Sequence, residues 1–287
     1  MVTSPKISEC TVLLRELGYV NKPPCVTCTS NSFYSWRKEE KGMGCWVAHT
    51  ALTCLECLRL MPRMFKPIEK YNLTWEDVEV LAVMHDVGKL SSQYLEGKKI
   101  QHNVISSYIM LELCKDDETI ENSKPVALAI LLHHEAYHWK RLLHLQIQPF
   151  HFVDSIKTIN EDIRLGDGYR LALDNLSDFL KKMKIKAGLK LINRLKERNV
   201  YHYDQREINR LLAENAIRAK AFLLYWILYL ADNRAASSRE SHQNYWIEPL
   251  RRMSPMSPSD LAQKILENHP RPDISLTAIP VKALTQL

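Results

Sequence analysis

Apolar positions along this chain of 287 residues recur at helical spacing, and few segments alternate with a period of two. Glycine is scarce, with eight residues, so the pattern predicts an all-α fold. A short helix is predicted over residues 5–18, and an irregular excursion rich in Pro, Asn and Ser follows over 19–44. The next helix is expected from about Cys45 to Arg59, ending near Pro62 because proline interrupts helical hydrogen bonding.

Capping residues indicate where further helices begin. Thr74 is a good N-cap, with two carboxylates in the following turn, and it opens the segment "VEVLAVMHD". A second helix is predicted from His102 to Cys114, and Pro125 suits the first position of "PVALAILLHHEA". A long helix is expected from Gln205 to Ala236. These helices predict a bundle.

The longest apolar run, Ala221 to Ala231, is too short to span a bilayer and predicts a buried helix. The first ten residues, "MVTSPKISEC", lack the apolar segment of a secretory signal. The sequence therefore predicts a soluble cytoplasmic protein without a membrane partner.

The chain carries a net charge of +6, and its basic residues are concentrated between residues 181 and 198. That stretch, "KKMKIKAGLKLINRLKER", holds eight Lys or Arg against one Glu. Two interpretations stay open, a solvated helix face or a surface that contacts nucleic acid. The candidate contact residues are Lys181, Lys182, Lys184, Lys186, Lys190 and Arg194.

Seven cysteines are present, and an odd number argues against a complete disulfide framework. Two CxxC pairs stand out, Cys25 with Cys28 and Cys54 with Cys57. Two such pairs can supply the four thiolates of a structural zinc site, or they can form a disulfide. The second pair falls inside a predicted helix, where cysteine also serves as a small core residue.

Histidine and aspartate residues recur on or next to the apolar helices. Burying so many imidazoles without partners would be costly, and a shared metal centre would satisfy them together. Five His and two Asp exceed the needs of one ion and fit two ions with a bridging carboxylate. Such mixed ligands suit Mn, Ni, Co, Fe or Zn, and two ions can hold both oxygens of an in-line phosphoryl displacement. The set is His49, His85, Asp86, His102, His133, His134 and Asp232.

The order H…HD…H…HH…D resembles that of the HD phosphohydrolase superfamily. Within it, the "HDxGK" form and the adjacent His pair are most similar to the HD nuclease of type I CRISPR systems. The resemblance spans residues 45 to 237. It implies a helical HD domain over 45–240 around a dinuclear metal site, with residues 150–204 as a helical, basic insertion. Residues 1–44 and 241–287 would be N-terminal and C-terminal extensions.

The resemblance also implies a role for each residue. His49, His85, Asp86 and Asp232 would hold the first ion, and His102, His133 and His134 the second. Asp86 would bridge the two ions, and Lys89 would point at the scissile phosphate. Asp86 and Lys89 are thus the catalytic candidates.

The implied function is a metal-dependent nuclease that cleaves single-stranded DNA in CRISPR interference. Because the chain has no helicase region, the resemblance implies a separate helicase subunit and a crRNA-guided surveillance complex as partners. One alternative is a small-molecule HD phosphohydrolase, namely a nucleotidase, a dNTPase or a cyclic-dinucleotide phosphodiesterase. Another is a helical adaptor without catalysis.

Overall fold

The computed structural model describes residues 33, 36–38, 41–43, 45–97, 101–115, 121–133 and 161–239. Within these ranges helices dominate and strands are few, which confirms the all-α prediction. The helix predicted over 5–18 lies outside the described residues.

Two short antiparallel strand pairs accompany the helices. Strands β1 (Trp36–Lys38) and β2 (Lys41–Met43) pair with Trp36 opposite Met43. Strands β3 (Ile163–Arg164) and β4 (Val200–Tyr201) pair with Ile163 opposite Tyr201. The first pair falls inside the predicted irregular excursion, and three-residue strands are too short to show a period-two pattern.

The helices follow in chain order, with two short 3-10 turns between them. They are α1 (Trp46–Lys70), α2 (Trp75–Met84), the 3-10 turn Val87–Leu90, α3 (Ser92–Leu95), α4 (His102–Cys114), α5 (Ser123–Leu131), α6 (Tyr169–Lys182), α7 (Lys186–Glu197), α8 (Gln205–Ala213), the 3-10 turn Asn215–Ile217 and α9 (Arg218–Arg239). The predicted helix from His102 to Cys114 is confirmed as α4.

Helix α1 does not end near Pro62 as predicted, but spans 25 residues in all and runs through Pro62 and Pro67 to Lys70. Proline removes one helical hydrogen bond, and tertiary packing can outweigh that loss. Here Met61 and Ile68 are buried in the core, and α1 packs along α9 and α2. Burial of the apolar face therefore keeps α1 helical through both prolines.

Helix α2 begins at the predicted cap, and a reciprocal pair of hydrogen bonds fixes its first turn. The Thr74 hydroxyl accepts from the Asp77 N–H at 3.2 Å, and the Thr74 N–H donates to Asp77 Oδ2 at 2.7 Å. Asn122, just before α5, donates to the same carboxylate oxygen at 2.8 Å. This network ties the start of α2 to the start of α5.

Two helical segments are interrupted in the structure, and one of them was predicted to be continuous. The long helix from Gln205 divides into α8 and α9, because Glu214 is extended and Ile217 in the following 3-10 turn is buried. The basic stretch divides into α6 and α7 at Lys184, whose φ is +56°. Pro125 stands third in α5 rather than first, which is still within the turn where its missing N–H has no helical partner.

One hydrophobic core joins the helices and places the ends of several of them side by side. Helix α2 is buried from Asp77 to Met84 and packs against α1, α5 and α7, while α9 packs on α1 and α5. Among the described residues no helix is long and apolar enough to cross a membrane.

Candidate metal centre

Six of the seven predicted metal ligands meet at one place in the core. His49 lies on α1, His85 and Asp86 follow α2, and His102 opens α4. His133 follows α5, and Asp232 lies on α9. His49, His85, Asp86 and His133 are at most 2% exposed. The seventh residue, His134, lies outside the described residues.

The first group of side chains surrounds one oxygen of Asp86. His49 Nε2 lies 3.2 Å from Asp86 Oδ2, and His85 Nε2 lies 3.3 Å from the same atom. Asp232 completes the group, because its Oδ1 lies 2.8 Å from His49 Nε2. Two imidazoles and two carboxylates therefore converge on a single point.

The second group surrounds the other oxygen of the same carboxylate. His102 Nε2 lies 3.2 Å from Asp86 Oδ1, and His133 Nε2 lies 3.9 Å from it. In the sets His49–His85–Asp86 and Asp86–His102–His133, the potential ligand atoms all lie within 4.8 Å of one another. Asp86 is therefore placed where it could bridge two ions.

The hydrogen bonds of two histidines leave their other ring nitrogens directed at the carboxylates, which suits a cation between the groups. His85 Nδ1 lies 2.8 Å from the Ala82 carbonyl, and His133 Nδ1 lies 2.6 Å from the Ile130 carbonyl. A carbonyl only accepts, so each Nδ1 carries the hydrogen, and in the neutral ring each Nε2 presents a lone pair. Those lone pairs face carboxylate oxygens, which also only accept. The donor set therefore fits a divalent transition-metal ion.

The electrostatics favour charged carboxylates and a neutral His133 at this site. Burial alone would raise the pKa of Asp86, but Lys89 and His85 outweigh it and hold that pKa well below its usual range. Burial likewise opposes ionisation of Asp232, whose pKa is held low by His49. Burial lowers the pKa of His133 to about 3. At neutral pH both carboxylates are thus charged, and His133 is neutral.

Three contacts fix the segment that carries His85 and Asp86. The Trp46 indole donates to the Asp86 carbonyl at 2.8 Å, and the Gly88 N–H donates to Ser106 Oγ at 2.8 Å. The Lys89 ammonium lies 2.7 Å from Asp86 Oδ2 and is only 5% exposed. Trp46 was not predicted as a site residue, although its position one turn before His49 could have suggested it.

A buried charge cluster joins the two helices that carry His49 and Asp232. The Glu56 carboxylate on α1 lies 2.7 Å from Arg234 Nε on α9 and 3.1 Å from an Arg59 guanidinium nitrogen. The three side chains are 9–13% exposed. Because Arg234 lies two residues after Asp232, this cluster sets the position of α9 against α1 at the metal centre.

Burial raises the pKa of Glu56 to about 7, so the carboxylate is mostly charged at pH 8. At that pH we expect Glu56→Gln to lower the free energy of unfolding by about 2 kcal/mol, because two guanidinium groups then lose their shared counter-charge in a mostly buried place. The melting temperature followed by circular dichroism should fall by roughly 4–8 °C. The control is Glu214→Gln, which removes a 2.7 Å ion pair to Lys124 whose side chains are 34% and 57% exposed. That change should cost less than about 0.5 kcal/mol, and equal losses in the two variants would contradict a special role for Glu56.

The second CxxC pair lies inside α1, where Cys54 and Cys57 are both buried in the core. Burial raises the pKa of both thiols, so the thiolate form that zinc requires is disfavoured there. Cys25 and Cys28 lie outside the described residues, so a zinc site or disulfide between the pairs stays a prediction.

The predicted nucleic-acid contacts lie along the end of α6 and along α7. Lys186 and Lys190 line a cavity of about 350 Å³ beside Thr74 and Glu76, at the beginning of α2. His85 and Asp86 follow the other end of that helix, about 15 Å away at 1.5 Å per residue. Lys181 pairs with Asp178 on the surface at 3.7 Å. The remaining basic candidates, Lys182, Lys184 and Arg194, lie on the same two helices and the turn between them.

Comparison with known proteins identifies the class of the chain. Residues 54–274 match the model of the HD domain family, and this match covers most of the chain. The chain therefore belongs to the HD domain family and is a metal-dependent phosphohydrolase. HD domains bind divalent metal ions, in agreement with the donor set around Asp86. The search of curated proteins and the search of solved structures found no match.

Proposed function

We propose that this protein is a two-metal phosphodiesterase that cleaves single-stranded DNA. The observation that carries the proposal is the position of Asp86, whose two oxygens face separate histidine groups at 3.2–3.3 Å and 3.2–3.9 Å. A bridging carboxylate of this kind is suited to a pair of ions, and ion pairs are common in enzymes that hydrolyse phosphate diesters.

Each group of residues would hold one ion. His49, His85 and Asp232 would hold the first, His102 and His133 the second, and Asp86 would bridge them. His134, predicted as a further ligand of the second ion, is kept in that role. The bound ions would supply Lewis acidity and a nucleophile at neutral pH, as two-metal sites do for in-line displacement at phosphorus.

The protein's own residues orient this chemistry. The apolar helix α2 ends in the core and excludes water behind His85 and Asp86. The side chains of His102 and Asp232 are 16% and 15% exposed, so substrate would approach on their side. The Lys89 ammonium, one turn after Asp86, is the candidate to neutralise charge on the phosphate in the transition state.

The biological setting is proposed from the motif order. The "HDxGK" form and the adjacent His133–His134 pair support a nuclease of CRISPR interference, with a separate helicase and a crRNA-guided surveillance complex as partners. The chain's net charge of +6 is compatible with a nucleic-acid substrate. A helicase subunit that unwinds DNA would supply the single strand.

The proposal is tested by offering substrates to the purified protein loaded with Mn²⁺, Ni²⁺ or Co²⁺. We expect cleavage of single-stranded DNA, and much slower turnover of mononucleotides, dNTPs and cyclic dinucleotides. Addition of EDTA should stop cleavage, and Mn²⁺ should restore it. Turnover of nucleotides with intact DNA would refute the nuclease and establish the alternative described next.

One observation favours a small-molecule HD phosphohydrolase instead. His49, His85 and His133 are almost completely buried, which suits a closed pocket for a nucleotide better than an open groove. The same substrate panel separates the two functions, because only a nuclease cleaves the internal bonds of an oligonucleotide whose two ends are blocked.

A further inference from the structure

The outer face of α9 presents an unusual row of large apolar side chains. Phe222, Leu223, Trp226, Tyr229 and Leu230 recur at helical spacing and are all partly exposed. Trp226 is 43% exposed and is among the most exposed large apolar residues of the described chain. We call these five residues the outer face of α9. Apolar side chains that are exposed next to one another often mark a binding site, whereas single exposed ones do not.

The rings on this face hold one another in fixed orientations. Trp226 meets Phe222 at a centroid distance of 6.0 Å and Tyr229 at 5.8 Å, both nearly perpendicular. Tyr225, buried beneath them, stacks on Tyr229 at 5.8 Å. A ligand that contacts these rings would lose little side-chain entropy on binding, because the rings are already ordered by their neighbours.

The outer face of α9 runs toward the metal centre. Tyr229 precedes Asp232 by three residues and Trp226 by six, which correspond to about 4.5 Å and 9 Å along the helix axis. Among the members of the centre that the structure describes, Asp232 and His102 are partly exposed. At 3.6 residues per turn, Tyr229 lies about 60° round the helix from Asp232, and Trp226 lies about 120° from it. A chain-like substrate on this face would therefore reach the centre by following the helix round past Tyr229.

The charges of the same helix suit a polyanion. Between Arg218 and Ala231 the helix contains two cations, Arg218 and Lys220, and no carboxylate. The first acidic residue is Asp232 itself. A phosphate backbone could follow this helix without passing a negative side chain before the metal centre.

We propose that the outer face of α9 stacks the bases of a single-stranded polynucleotide and leads its backbone to the metal centre. The inference rests on the proposed function and adds the surface that binds the strand. Bases stack on aromatic rings with little dependence on sequence, so the binding would show little base preference. The basic residues at the start of α7, at the far end of α2, are not required for this contact.

The test measures binding of a fluorescently labelled oligothymidylate of 20 nucleotides by anisotropy, with EDTA present so that no cleavage occurs. The decisive variant is Trp226→Leu, which keeps an apolar side chain and removes the ring. We expect its affinity to fall about 5- to 50-fold, whereas Trp226→Phe should lose less than about 3-fold. Tyr229→Leu, a second position on the same face, should weaken binding in the same direction.

The matched control is Phe65→Leu, at a residue of α1 that is 45% exposed and sixteen positions from His49. It should leave oligonucleotide affinity unchanged. Wild-type affinity in Trp226→Leu and Tyr229→Leu, or no binding by the wild type, would overturn the inference. So would a wild-type dimer that Trp226→Leu dissociates while oligonucleotide binding is kept.

A separate readout distinguishes failure of the inference from failure of the proposed function. Hydrolysis of bis(p-nitrophenyl) phosphate by the Mn²⁺-loaded wild type reports the metal centre without a polynucleotide. If the wild type hydrolyses this diester but Trp226→Leu binds the oligonucleotide with wild-type affinity, only the inference fails. If the wild type hydrolyses no phosphodiester at all, the proposed function fails, whatever the binding data show.

Discussion

Replacement of Asp86 by asparagine is expected to reduce phosphodiester hydrolysis by about 10³-fold or more, because the shared carboxylate is lost from both halves of the centre. Asparagine has nearly the same shape, but it offers one neutral oxygen where Asp86 offers two charged ones. Each Asp86 oxygen now faces its own histidine group. The bound metal should therefore fall from two ions per chain to one or none.

The measurement combines hydrolysis of single-stranded DNA with the metal content of the purified protein. Because Lys89 loses its 2.7 Å ion pair to Asp86, we also expect lower thermal stability in Asp86→Asn. His102→Gln is the companion variant, since this side chain is 16% exposed and the change affects only the second group. It should fold normally and lose one ion. If Asp86→Asn retained two ions and its activity stayed within tenfold of wild type, the bridging role of Asp86 would be refuted.

Replacement of Gly88 by alanine is expected to destabilise the protein by about 3 kcal/mol or more, because the new methyl group meets backbone rather than a movable side chain. A Cβ at Gly88 would lie 2.1 Å from the His102 carbonyl oxygen and 2.9 Å from the Ser106 nitrogen. The 3-10 turn and the start of α4 would have to separate. The melting temperature should fall by roughly 6–12 °C, and His102 should move away from Asp86.

Gly166→Ala provides the comparison for Gly88→Ala. Its Cβ would lie 2.5 Å from the terminal methyl of Leu95, with the other neighbouring atoms at 3.5 Å or more. Leu95 is partly exposed and can change rotamer, so this variant should cost clearly less. Thermal unfolding by circular dichroism measures both variants. A Gly88→Ala protein as stable as Gly166→Ala would show that α4 is not held as closely as the structure indicates.

Local signals in the sequence were sufficient for several elements. Thr74 and the acidic turn after it marked the start of α2, and apolar spacing marked α4 from His102 to Cys114. The same signals predicted the wrong helix end at Pro62, because packing against α9 and α2 keeps α1 helical beyond it. They failed again at Glu214, where the chain turns before α9. In both places the deciding interactions come from residues far apart in the sequence.

The sequence by itself determined the helical class of this protein and the residue types of its candidate metal centre. Both are local properties, because apolar periodicity and the order of His and Asp can be read along the chain. Only the tertiary structure decided that Asp86 turns one oxygen to His49 and His85 and the other to His102 and His133. It also revealed the Glu56–Arg234 contact and the outer face of α9 beside Asp232. These depend on how helices pack, and helix packing is fixed by side chains that no local pattern brings together.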